Sequence, residues 1–127
     1  MQRIDLLLLL DLIGAPSPTF LPYIDRTTLE CDQYAAELSR LEDVLLGTSG
    51  ERKYFREECQ TANYNMDDHT PFLENGLRRA LHVISDPFPE VWHTMEDNME
   101  NLDYDTIRRI NRIIRIFVAQ YLNLQLY

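Results

Sequence analysis

Leu6 to Leu10 form an unbroken apolar run bracketed by Asp5 and Asp11. Apolar on both faces, such a run predicts a buried strand of a largely parallel sheet, over residues 3–11. It is too short to cross a bilayer. Its close acidic flanks and poor cleavage site set a signal peptide aside. Asp11 then falls at the C-terminal end of the strand, where ligands collect in open α/β sheets. Gly14, Pro16, Pro18 and Pro22 make the next stretch a stiff loop. Tyr34, Leu38, Leu41 and Leu45 recur at spacings of four, three and four, predicting a helix from about Thr28 to Leu46. Thr28 is its expected N-cap, Gly47 its stop, and Glu37, Arg40, Glu42 and Asp43 its solvated face.

Thr48 to Asn65 reads as a loop with local order, its charges from Glu51 to Glu58 forming a solvated surface. A short helix is expected over Asp68 to Asn75, with Asp68 as N-cap, Pro71 in the first turn and Gly76 past the end. Ala80 to Ile84 is a short apolar strand interrupted by His82, and the loop Pro87-Phe88-Pro89-Glu90-Val91-Trp92-His93 follows it. Ile107, Ile110, Ile114, Phe117, Tyr121 and Leu124 mark one face of a helix from about Asp105 to Gln125, widened by Ile113, Val118 and Leu122. Arg108, Arg109, Arg112 and Arg115 take the other side. This is the pattern of a helix packed on a sheet, with a membrane-surface helix as the minor alternative. The order strand, helix, helix, strand, helix predicts an α/β architecture, with no repeat and no low-complexity linker.

The chain has 127 residues, 45% of them hydrophobic, enough for one ordinary domain with a core. Its net charge of −9 argues against nucleic acid, whose phosphates demand a basic face, and disfavours an anionic membrane. Cys31 and Cys59 either pair or stay free thiols, so the redox compartment is open at this point. They do not form a CxxC or zinc-finger pattern.

Asp11, Asp67, His82 and His93 lie at the ends of apolar elements or in stiff loops, which is how a pocket appears in a sequence. His93, beside Trp92 on a proline-stiffened loop, suits a metal ligand at a pocket rim, or else is a surface histidine on a packed loop. A catalytic zinc takes three protein ligands, and the residues alone offer His93 with Asp67, His69 or His82. None of these has the HExxH spacing.

Several blocks in order resemble animal glutaminyl cyclases (glutaminyl-peptide cyclotransferases). They are Leu9-Leu10-Asp11-Leu12-Ile13-Gly14-Ala15-Pro16, Asp67-Asp68-His69 with Pro71-Phe72-Leu73, and Leu81-His82-Val83-Ile84. Phe88-Pro89-Glu90-Val91-Trp92-His93-Thr94-Met95-Glu96-Asp97-Asn98, Glu100-Asn101-Leu102-Asp103 and the C-terminal Phe117-Val118 and Tyr121-Leu122 complete the series. The resemblance is weak from about Tyr23 to Asn65. It implies that residues 1–127 are the C-terminal portion of an aminopeptidase-like mixed sheet flanked by helices, an incomplete domain. It also implies a secreted or secretory-pathway zinc enzyme that converts the N-terminal glutamine of peptides to pyroglutamate. By the same resemblance His93 is a zinc ligand, Phe88 and Trp92 line the substrate pocket, and Asp11, Asp67 and His82 form a catalytic network beside the zinc.

The family's zinc Asp and Glu, and its catalytic Glu, lie upstream of the Asp11 strand. Only His93 of the three expected zinc ligands is therefore in this chain, which is expected to be inactive alone and to fold poorly with strand edges exposed. Met66 stands where the family often has Gln. Leu77-Arg78-Arg79-Ala80 is one residue longer than usual and lacks the family's proline. Two rivals accompany this reading. One is a non-catalytic remnant that binds peptide N-termini or completes its sheet with a missing N-terminal portion or a second chain. The other is a two-metal zinc aminopeptidase. No Asn-x-Ser/Thr site for glycosylation is present.

Overall fold

The computed structural model describes residues 4–24, 30–61 and 67–125. The chain runs β1 (Leu7–Asp11), β2 (Tyr23–Ile24), α1 (Cys31–Leu46), β3 (Gln60–Thr61), α2 (Thr70–Glu74), β4 (Ala80–Ile84), a 3-10 turn (Met99–Asn101) and α3 (Tyr104–Tyr121). The strands form one mixed sheet in the order β1-β4-β2-β3. β1 lies parallel to β4, β2 parallel to β3, and β4 antiparallel to β2. The mixed α/β architecture read from the sequence is present. The two-residue strands β2 and β3, too short to carry a period, were not legible in it.

β4 is buried at all five positions, as a central strand covered on both faces must be. β1 is only half-buried along its length, although four of its five residues are leucine. Among the described residues no strand pairs with its outer edge. Its five residues include no lysine or proline to discourage pairing.

α1 and α3 pack on each other, and α1 also meets β4. Phe20, Leu38, Phe55, Leu81, Ile110 and Ile113 are central to the core. On α3 the buried stripe is Thr106, Ile110, Ile113 and Phe117, with Ile107, Ile114 and Tyr121 at its margins. Val118, Leu122 and Leu124 are exposed, so the apolar face is narrower than the sequence suggested. The Asp103 side chain caps the helix by accepting the Thr106 N–H at 2.8 Å. The helix ends at Tyr121, ahead of the expected Gln125, and Asn123 with φ 51° turns the chain away.

α1 stops at Gly47 as expected, with φ 53° and its N–H bonded to the Asp43 carbonyl. The helix opens at Cys31; the expected cap Thr28 lies outside the described residues, as does Met66. α2 is shorter than expected, and its N-cap is His69, not Asp68. The reason is a tight turn just before it. The Asp67 carbonyl accepts the Thr70 N–H, and Thr70 Oγ1 accepts the Asp67 N–H, which closes residues 67–70 and leaves Pro71 in the first helical turn.

Two assignments to solvated faces are corrected. Glu42 is 0% exposed, and its carboxylate accepts the backbone N–H groups of Tyr54 and Phe55 at 2.9 Å. Arg109 turns inward to meet it, Nη2 to Oε1 at 2.6 Å, and its guanidinium lies 3.8 Å from the Tyr54 ring centre. A segment expected to be solvated loop is thereby fastened to both helices. Cys31 and Cys59 form a disulfide, Cα atoms 6.1 Å apart, which ties the start of α1 to the residues before β3.

Candidate functional site

The register of β1 on β4 builds the first half of the site. Leu9 stands opposite His82 and Asp11 opposite Ile84. Side chains alternate along a strand, so Leu9 and Asp11 share a face, and Asp11 comes to the His82 side of the sheet. The chain turns sharply after Asp11: Leu12 has φ 52°, and its N–H donates to Asp11 Oδ1 at 2.8 Å. A leucine in the left-handed region is strained, and such residues gather where function fixes the backbone. Asp67, at the head of the 67–70 turn, is held in the same manner, its Oδ1 accepting the Asp68 N–H at 2.7 Å. Its other oxygen lies 3.1 Å from His82 Nε2.

Asp11, Asp67 and His82 thus converge, with one ligand atom from each within 4.8 Å of the others. His82 is 1% exposed, and His69 packs its ring against it at 4.8 Å between centroids. Burial, and then the neighbouring His69, hold the His82 imidazole below its ordinary range, while Asp67 and Asp11 pull the other way. The ring is neutral near pH 7.

The second half is the loop after β4. Trp92 and His93 stack at 3.8 Å, and Phe88 meets Trp92 edge-on at 4.8 Å. His93 has φ 59°, a second strained residue, exposed on a loop of tight turns in which the Trp92 N–H bonds the Pro89 carbonyl and the Thr94 N–H the Val91 carbonyl. The loop is anchored to the β1 turn by the Asp103 N–H donating to the Gly14 carbonyl at 2.9 Å. Gly14 leaves room there: a Cβ would stand 2.5 Å from Leu102 Cδ2 and would push that side chain aside. Between the two loops runs a groove of about 560 Å³, walled by Pro16, Pro18, Pro87, Phe88 and Val91.

The six residues singled out in the sequence therefore fall into two groups, Asp11–Asp67–His82 and Phe88–Trp92–His93. Among the described residues His93 joins no group of three side chains able to share a metal ion. The roles of Leu12 and Gly14 were missed. Gly14 was legible only as a loop residue, and nothing in the sequence signals the strain at Leu12.

The profile of Peptidase family M28 matches residues 1–118. The chain belongs to this family. It is 48% identical over 135 residues to a glutaminyl-peptide cyclotransferase of Bos taurus, covering 98% of this chain and 34% of that one. The crystal structure of Macrostomum lignano glutaminyl cyclase superposes with a TM-score of 0.81 at 26% identity, covering 94% of this chain and 40% of the other. A Zn-dependent exopeptidase from Parabacteroides distasonis does so at 0.66 and 26% identity, over 87% and 37%. The M28 chain thus spans about a third of the length of the curated relatives it matches. The resemblance to glutaminyl cyclases read from its motifs holds across nearly all of it.

Proposed function

We propose that this chain carries the C-terminal part of a glutaminyl-peptide cyclotransferase active site, acting on peptides that begin with glutamine. The convergence of Asp11, Asp67 and His82 at the end of β1, in a chain so similar to these enzymes, carries the reading. In the reaction the neutral α-amine attacks the side-chain amide carbon and closes a five-membered lactam. The C–NH2 bond breaks, and the amine's proton leaves with ammonia. Asp11 takes that proton and passes it to the departing nitrogen. Asp67 and the neutral His82 hold the developing charge in place. Phe88 and Trp92 supply an apolar wall for the glutamine side chain.

Zinc, when bound in such enzymes, polarises the amide carbonyl as a Lewis acid. His93 alone does not fit a catalytic zinc, which needs three protein ligands, and among the described residues it joins no group of three that could share an ion. We accordingly expect these 127 residues by themselves to bind such peptides without turning them over. The Cys31–Cys59 disulfide supports an oxidising compartment, in keeping with a secretory or extracellular location. Among the described residues no helix is long and apolar enough to cross a membrane. The unpaired outer edge of β1 favours a second element in the same reading: another polypeptide segment, upstream or from a second chain, completing the sheet.

Trp92 is the single tryptophan, so tryptophan emission, excited selectively over the seven tyrosines, reports on the pocket wall. Titration with a Gln-initiated peptide should change that emission, and the N-acetylated peptide should bind at least several-fold more weakly. Equal responses, or none at millimolar peptide, would sink the substrate assignment. Ammonia release, assayed with added zinc, is expected to be absent. Chelator-sensitive release lost in His93→Ala would overturn only the expectation of inactivity.

A further inference from the structure

The groove between the two loops carries a positive charge that the cyclisation chemistry does not use. Arg52 lines it, together with Phe88 and Pro89. Its guanidinium donates through Nη1 to the Ser17 carbonyl and through Nη2 to Thr19 Oγ1. Its own carbonyl accepts Arg109 Nη2 at 2.7 Å, so backbone and side chain are both tied down. Among the described residues Arg52 forms no ion pair, although the chain has 21 acidic residues against 12 basic and Glu90 lines the same groove. A side chain already held loses little freedom on meeting a ligand, and the rest of its planar N–H fork matches a carboxylate.

The walls leave polar recognition to that side chain. The carbonyls of Ser17, Thr19, Pro87, Pro89 and Val91 already accept hydrogen bonds, from Arg52, Asp86, Ser85, Trp92 and Thr94 in turn. Pro16, Pro18, Pro87 and Pro89 have no N–H to offer. The groove also continues from the aromatic wall of the site. A small cavity beside Leu12 and Trp92 shares Ala15, Pro89, Val91 and Asn101 with it. We propose that the groove takes the residues following the N-terminal glutamine, and that Arg52 is a specificity-determining residue that selects an acidic side chain among them. This rests on the reading of the chain as a binder of glutamine-initiated peptides. A net charge of −9 works against acidic ligands in general, so a preference confined to one peptide position has to come from a local cation. Arg52 is exposed, and an exposed ion pair corresponds to about three- to fivefold in affinity.

The test uses hexapeptides that begin with glutamine and end in an amide. Each carries one glutamate, walked from the second position to the fifth, and its uncharged match has glutamine at the same place. Binding is read from Trp92 emission and repeated by calorimetry, with circular dichroism checking the fold of each variant. One position, or two neighbouring ones, should bind about three- to fivefold tighter than the match, and salt near about 0.5 M should erase the gap. Arg52→Gln should lose the gap, and Arg52→Lys should restore part of it. If Arg52 only braces the Ser17–Thr19 loop, Arg52→Gln weakens every peptide alike and leaves the ratio unchanged, which overturns the proposal. A gap that vanishes as fully in Glu90→Gln overturns it too. Equal binding of every pair by the parent removes this inference and leaves the substrate reading standing, whereas no response to any of the peptides removes both.

Discussion

Removing Arg109 should destabilise this chain more than any other single surface-type substitution. Its guanidinium, 10% exposed, meets a Glu42 carboxylate that water does not reach, at 2.6 Å. It also donates to the Arg52 carbonyl at 2.7 Å and stacks on Tyr54. At an effective dielectric near 20, unit charges 4 Å apart attract by about 4 kcal/mol, and this pair is closer. Burial of both ions offsets much of that attraction, so the pair as a whole adds little. Breaking it from one side is different, because the remaining charge is stranded, at about 3–5 kcal/mol. Arg109→Ala should lie in that range, with about 1 kcal/mol more for the lost stacking. Glu42→Gln keeps the shape but sets an amide N–H2 among the N–H groups of Tyr54 and Phe55, and should cost about 2–4 kcal/mol. Glu42→Gln combined with Arg109→Ala should cost at least 2 kcal/mol less than the sum of the singles. Urea unfolding followed by far-UV circular dichroism reads all four corners of the cycle, and domains of this kind hold only about 5–15 kcal/mol in total. An Arg109→Ala loss under about 1 kcal/mol, or a cycle additive to about 0.5 kcal/mol, would refute the argument.

Two further expectations rest on other contacts. The Cys31–Cys59 bridge closes a loop of sequence separation 28, and chain-entropy loss from that loop corresponds to about 3.6 kcal/mol, so the double serine variant should unfold at markedly lower urea and match the reduced parent. Glu30 is held below the ordinary carboxylate range, first by the Arg79 side chain and then by Tyr34. A depressed folded value means that this contact is intact above the unfolded pKa and is lost as pH falls through the lower, folded one. Carboxyl NMR should therefore show Glu30 titrating below 4.5, and Arg79→Gln should move it upward; an unchanged midpoint would discard the pair.

The bounds of β4 were legible because turn residues bracket a short apolar run, and α3 because its period is long and clean. What escaped was the sign of burial at charged positions, although the spacing held the clue. Cys31, Ala35, Leu38 and Glu42 fall on one helical stripe, and Thr106, Arg109, Ile113 and Phe117 on another. A charged residue on a stripe is normally taken for an intruder from the solvated face. It is buried when other elements bring the opposite charge and spare N–H groups to it: Glu42 meets Arg109 of α3 and the N–H groups of Tyr54 and Phe55.

The site divides along the same lines. Asp11 could be found from its place at a strand end, because the C-terminal edge of a parallel strand is open to ligands in any such sheet. His82 could not be assigned a face until its partner was known, since a slip of one residue in the β1–β4 register would carry Asp11 to the opposite side. Asp67 reaches them only through the turn that its own backbone closes with Thr70, a local event whose position in space is set by the whole sheet. His93 was the most conspicuous residue in the sequence, yet it stands apart from these three. Its prominence came from its neighbours in sequence, Pro89 and Trp92, whereas shared chemistry depends on neighbours in space. That is why three unremarkable positions, joined by register and one turn, carry the denser chemistry of this chain.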